Sequence, residues 1–176
     1  MGNSSKRIAI ERIIESLFGF LKAGYNSLVN GLKKLSKDQK FFISKEQNKE
    51  IIILCMFAIL RAISTACGDN IVSKNITEKF QQKIFKNYFK DTKERENFKE
   101  LFLKRYNEYS ELLSPENLDL KNLDLHIGQI FCKYFWGEDD ESLAITMMFA
   151  GYICISVMTE TKKFLDEVVS KYIIVF

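Results

Sequence analysis

The chain has 176 residues, of which 47% are hydrophobic and 28% are charged, and its formal net charge is +3. This composition can fill one sizeable core, so it excludes a largely disordered protein. One proline and eight glycines leave few places for the tight turns of a sheet protein. We therefore predict an all-α, single-domain bundle of six to seven helices around two apolar central helices, at about 45–67 and 141–159.

The first 40 residues are basic, with eight Lys and Arg against three acidic residues, a net charge of +5, so the rest of the chain sums to −2. Apolar residues recur there at steps of three and four, which predicts an amphipathic helix over 7–35, broken near Gly24 or Gly31. We divide the chain into this basic helix with its connection, residues 1–40, and a bundle core, residues 41–176.

The apolar face of this first helix is wider than a simple bundle helix requires, and positive charge surrounds it. Such a face suits docking onto the bundle or a second subunit, and it also suits an anionic membrane surface. The residues of the predicted docking or membrane face are Ile10, Ile14, Leu17, Phe18, Phe20, Leu21, Tyr25 and Leu28.

Capping signals divide the middle of the chain. Ser44 followed by Gln47 forms a capping box that starts a helix over 45–67, and Gly68 ends it. A third helix begins after Ser73 or Asn75, and a fourth begins at Thr92. The fourth helix ends before residue 115, the only proline, and a fifth ends near residue 137.

Residues 143–158 carry no charge and have no polar face, which predicts a helix that is buried on every side. Sixteen helical residues span about 24 Å, less than the roughly 30 Å of a bilayer core, so we expect a core helix that does not cross a membrane. The same helix continues over 162–174 after a bend. The acidic run 138–141 caps it, with a divalent cation site as the alternative.

No pattern in the chain specifies a reaction. His126 is the only histidine, and neither Asp124 nor Cys132 shares its helical face. We therefore predict no catalytic, cofactor-binding or metal-binding residue, and we expect a protein that is not an enzyme. The four cysteines show no metal spacing and lie in apolar segments, so we expect buried thiols. Because no signal peptide is visible, we expect a cytoplasmic protein, with peripheral membrane contact as the alternative.

Residues 74–109 alternate lysines with aromatic residues, as proteins that bind single-stranded nucleic acid also do. The helical period places the aromatic residues inward and the lysines outward, which is typical of an ordinary solvated helix. We do not expect a nucleic-acid partner.

Two short stretches resemble Bcl-2-like proteins, which also bury a hydrophobic central helix in an all-α bundle. The residues that carry the resemblance are Leu60, Cys67, Gly68, Asp69 and Ile71, followed by the pair Trp136-Gly137. Ser64 replaces the key leucine of the first motif, and Glu138 replaces the arginine that follows the Trp-Gly pair. We carry no residue role across from this family.

Together these patterns predict a non-enzymatic helical protein that acts through protein–protein interaction and self-associates into a homo-oligomer. A protein associated with anionic membrane surfaces through its first helix is the alternative. A Bcl-2-like helical regulator is a further alternative.

Overall fold

The computed structural model describes residues 6–36, 42–114, 116, 119–137 and 143–175. Within them the chain forms six α-helices and two four-residue strands, which confirms the predicted all-α bundle. The elements in chain order are β1 (Lys6–Ala9), α1 (Ile10–Leu35), α2 (Lys45–Cys67), α3 (Ile71–Tyr88), α4 (Thr92–Leu112), α5 (Leu123–Phe135), α6 (Ala144–Lys171) and β2 (Tyr172–Val175).

Helix α2 is the centre of the bundle, and its predicted bounds are confirmed. Ser44 Oγ accepts a hydrogen bond from the Gln47 backbone N–H at 3.2 Å, and the Gln47 side chain accepts one from the Ser44 N–H at 2.9 Å. Every residue from 51 to 60 is buried. The helix ends at Gly68, whose φ of 69° suits a residue without a Cβ.

Helix α1 belongs to the same core, because it packs against α2, α3 and α6. It runs from Ile10 to Leu35 as one helix, so the predicted break at Gly24 or Gly31 is wrong. These glycines permit close packing instead. A Cβ on Gly31 would lie 2.0 Å from the Phe149 ring, and one on Gly24 would lie 2.7 Å from Val157.

The face of α1 that we predicted to dock on the bundle, on a second subunit or on a membrane is turned into the bundle, which is the first of these alternatives. The buried members of that face are Ile10, Ile14, Leu17, Phe18, Leu21 and Leu28. Phe20 and Tyr25 are partly buried: the Phe20 ring lies 5.7 Å from the Phe164 ring, and the Tyr25 hydroxyl donates to Asn48 at 2.6 Å. This set of residues is therefore not an exposed surface of the folded chain.

Helices α5 and α6 cross in close backbone contact. A Cβ on Gly128 would lie 1.7 Å from the Met147 carbonyl oxygen, and a Cβ on Gly151 would lie 1.7 Å from the Asp124 carbonyl oxygen. Only glycine fits at such a crossing. Helix α6 itself continues without interruption to Lys171, so the predicted bend before residue 162 is wrong.

The two ends of the described chain pair with each other. Strand β1 runs parallel to β2, with Lys6 opposite Tyr172 and Ala9 opposite Val175. The predicted helix over 7–35 therefore starts too early, and the one over 162–174 ends too late, because residues 7–9 and 172–174 use their backbone groups for strand pairing.

Local caps account for the remaining differences from the prediction. Asn70 starts α3 by accepting hydrogen bonds from the backbone N–H groups of Val72 and Ser73, so this helix begins earlier than predicted. Helix α4 begins at Thr92 as predicted, with Asp91 as its N-cap. The predicted cap of α6 within 138–141 lies outside the described residues.

Candidate interaction surface

The outer side of α6 is exposed, so the expectation that residues 143–158 are buried on every side is wrong. Ile145 is 71% exposed, Met148 is 52% exposed and Tyr152 is 64% exposed. Helix α6 packs against α1, α2 and α5, and these neighbours leave one side of its N-terminal half uncovered. The three residues follow helical spacing and share one face. We call them the ridge.

The same side of α6 becomes shallow after the ridge. Ser156 and Thr159 continue the stripe with small side chains, and a groove of about 190 Å³ opens between α6 and α1 beside them. The residues lining this α1/α6 groove are Phe20, Ala23, Gly24, Ser27, Ile153, Ser156, Val157 and Glu160. The ridge and the α1/α6 groove therefore follow each other along α6.

In the described parts of α1 and α6, charged residues stand at the ends of this face. Helix α6 has no charged residue from 144 to 159, and α1 has none from 23 to 32. Lys34 is exposed in the last turn of α1, three residues after Gly31, which lies against Phe149 of α6. Glu160 lines the far end of the groove, where its carboxylate also meets Lys163 at 2.7 Å. Protein interfaces show this depletion of charge at their centre, and they are enriched in Met and Tyr.

The whole face, ridge and groove together, follows about four turns of α6, or roughly 22 Å at about 1.5 Å per residue. A contiguous exposed apolar patch on a folded protein marks a site of contact with another protein or a membrane. The face is one such feature among the described residues, because its three large apolar side chains follow one another along a single helix.

A buried polar cluster joins α2, α4 and α5. The Arg105 guanidinium donates from Nε and Nη2 to the two carboxylate oxygens of Glu50, at 3.2 and 3.3 Å. Its central carbon lies 3.0 Å from the Tyr134 ring centroid, and the Tyr134 hydroxyl donates to Glu108 at 2.9 Å. Glu50 is 5% exposed and Arg105 is 7% exposed. Because solvent hardly reaches these groups, we assign them to holding three helices together.

Burial dominates the ionisation of Glu50. Loss of solvation raises the pKa of this carboxyl above its ordinary value, and the hydrogen bond and charge of Arg105 only partly offset that rise. Sequence reasoning missed the pair, although Glu50 directly precedes the apolar run of α2 and Arg105 falls on the inward stripe of α4.

The His and Cys residues that the structure describes are not gathered into one site. His126 lies in α5 with its side chain 41% exposed, and its Nε2 is 3.8 Å from an Asp119 carboxylate oxygen. All four cysteines are free and buried, as predicted. Burial raises the pKa of the Cys55 thiol to about 12 and that of Cys154 further, which makes both poor nucleophiles. Within the described ranges, no group of three His, Cys, Asp or Glu residues could hold a metal ion.

Two described helices, α2 and α6, are long and apolar enough to cross a membrane by length and composition alone. The apolar stretch of α2 is 78% buried, which is the behaviour of a core helix. The stretch of α6 is only 39% buried, because it includes the exposed ridge.

The first of the two motifs that resemble Bcl-2-like proteins does not lie on one continuous helix. Leu60 lies in α2 and Ile71 lies in α3, with the helix break at Gly68 between them. Comparison of the chain with protein-family models, with curated proteins and with solved structures gives no match.

Proposed function

We propose that this chain is a non-enzymatic helical protein that acts by self-association, and that the outer face of α6 is the surface through which it does so. The observation that carries the proposal is the ridge: three large apolar side chains stand exposed on a stretch of α6 that has no charged residue from 144 to 159. Burying an exposed Ile or Met side chain fully is worth about 1.5–3 kcal/mol, so a partner that covers the ridge would gain a large part of its binding free energy there.

A second copy of the chain suits this surface better than an unrelated partner does. In a symmetric dimer both copies use the same patch, so the patch must complement itself. The face of α6 satisfies this condition in two ways, because it carries a ridge beside a groove and a cation at one end with an anion at the other.

Helix α1 takes a different part in this proposal from the one predicted. Its wide apolar face is used inside the bundle, and its contribution to the surface is the row of small residues that forms one wall of the α1/α6 groove. Ala23 and Ser27 are exposed members of that wall.

Sedimentation velocity over a range of concentrations tests the proposal. We expect the wild type to form dimers and Met148→Glu to remain monomeric, because the substitution places a carboxylate in the middle of the ridge, where it would lose its water in the contact. Leu103→Glu is the matched control, since Leu103 is a similarly exposed apolar residue on α4. The control should dimerise like the wild type.

Two results would contradict the proposal. A wild type that is monomeric at about 1 mM would bind itself with less than about 4 kcal/mol, too little for a working interface. Pelleting of a monomeric wild type with anionic liposomes, abolished by Met148→Glu and kept by Leu103→Glu, would instead assign the ridge to a membrane surface.

A further inference from the structure

We infer that two copies pair with their α6 helices antiparallel, about a two-fold axis beside Tyr152, so that the ridge of each copy packs on the shallow half of the other. This inference rests on the proposed self-association and adds the geometry of the pair. It follows from the order of features along α6: the ridge occupies 145–152, and the shallow half with its groove occupies 153–160.

The position of α1 supplies the first step of the argument. Gly31 lies against Phe149 and Gly24 lies against Val157, so residue numbers rise along α1 as they fall along α6. The two helices are therefore antiparallel neighbours. Lys34, one turn beyond Gly31, consequently lies beside the Ile145 end of the ridge.

The second step compares the two ways of pairing α6 with itself. A parallel pair would stack ridge on ridge. Because its two-fold axis would run along α6, the α1/α6 groove, Lys34 and Glu160 of one copy would lie on the opposite side of the pair from those of the other copy, so neither charge would meet a partner. An antiparallel pair centred beside Tyr152 places Met148 over Ser156 and the groove, and it brings each Lys34 to Glu160 of the other copy. Shape and charge therefore favour the same arrangement.

A charge exchange tests this register. Lys34→Glu and Glu160→Lys should each weaken the dimer, and the double variant Lys34→Glu/Glu160→Lys should restore it. The symmetric dimer contains two such pairs at its rim, so each single substitution should raise the dissociation constant roughly 2- to 30-fold. A double variant no tighter than the weaker single variant would refute the antiparallel register.

A cysteine placed on the axis gives an independent test. Tyr152→Cys should form a disulfide-linked dimer under mild oxidation, because a residue on the axis meets its own copy. The native thiols are buried and leave a clean background. Leu103→Cys on α4 is the control and should not cross-link.

The outcomes separate the two proposals. If the wild type dimerises but neither the charge exchange nor the cross-link behaves as expected, the register is wrong while self-association stands. If the wild type is monomeric, both proposals fail.

Discussion

The buried pair of Glu50 and Arg105 leads to an asymmetric prediction about stability. Both side chains are almost fully enclosed between α2, α4 and α5, and Glu108 lies 3.7 Å from the same guanidinium. Removing Arg105 leaves two carboxylates without their shared cation. Removing the charge of Glu50 leaves Arg105 with Glu108 and the Tyr134 ring as partners.

The direction of the Glu50 pKa shift indicates which of the two substitutions lowers the stability of the fold more. Because the folded-state pKa of Glu50 is raised, the fold accepts the neutral form more readily than the carboxylate. The contribution of Glu50 to the free energy of unfolding is therefore fully present when the pH is below the pKa of Glu50 in the unfolded chain. It is lost as the pH rises through the pKa of Glu50 in the folded protein. Glu50→Gln resembles the neutral form, so we expect it to cost less than about 2 kcal/mol at pH 7. Arg105→Met strands a buried carboxylate and should cost about 3–5 kcal/mol.

Urea unfolding of Glu50→Gln, of Arg105→Met and of the apolar double variant Glu50→Leu/Arg105→Met measures these differences in the free energy of unfolding. The double variant should lie close to the wild type, because apolar residues replacing a buried ion pair are commonly neutral or stabilising. The penalty of Arg105→Met should shrink as the pH falls toward 4.5, because the raised pKa of Glu50 lets the buried carboxylate take up a proton before the pH reaches that ordinary value. Equal penalties for the two single variants, or a penalty for Arg105→Met that does not change with pH, would refute this reasoning.

Three further predictions concern packing, capping and the thiols. Gly151→Ala should cost at least about 3 kcal/mol in urea unfolding, because its Cβ would meet a backbone oxygen at 1.7 Å. The control Gly19→Ala, whose Cβ would have nothing within 4 Å, should stabilise the fold by about 0.5–1 kcal/mol. Similar effects of the two substitutions would contradict the α5/α6 crossing. Ser44→Ala should cost about 1 kcal/mol in the same assay, and no loss would contradict the capping box. Cys55 should react with a thiol reagent only after unfolding, and fast labelling of the native protein would contradict its burial.

Helix α2 could be predicted closely because its signals are local. The capping box, the apolar run and the terminal glycine all lie within 25 residues and point to the same helix. The burial of α6 could not be predicted in the same way. An apolar helix is covered only where the fold supplies a neighbour, and the arrangement of α1 and α5 around it depends on contacts far apart in sequence.

The features that the sequence analysis missed depend on pairs of distant residues. Strands β1 and β2 have four residues each, which is too few for an alternating pattern to stand out. They lie near opposite ends of the sequence, so neither indicates that the other is its partner. Gly128 and Gly151 stand within apolar helical segments, which is a visible hint of close helix packing, although neither residue identifies its partner. The wide apolar stripe of α1 could be read from the sequence, but its periodicity does not distinguish the bundle, a second subunit and a membrane as the surface that covers it; in the structure the bundle covers it.

The central claim is that the outer face of α6 binds a second copy of the chain, and amide NMR spectra recorded across a dilution series test it without any substitution. The account predicts concentration-dependent shifts that cluster in residues 145–160 of α6 and in residues 20–34 of α1, with one common midpoint. Spectra that stay unchanged up to about 1 mM, or shifts centred on another surface, would contradict it.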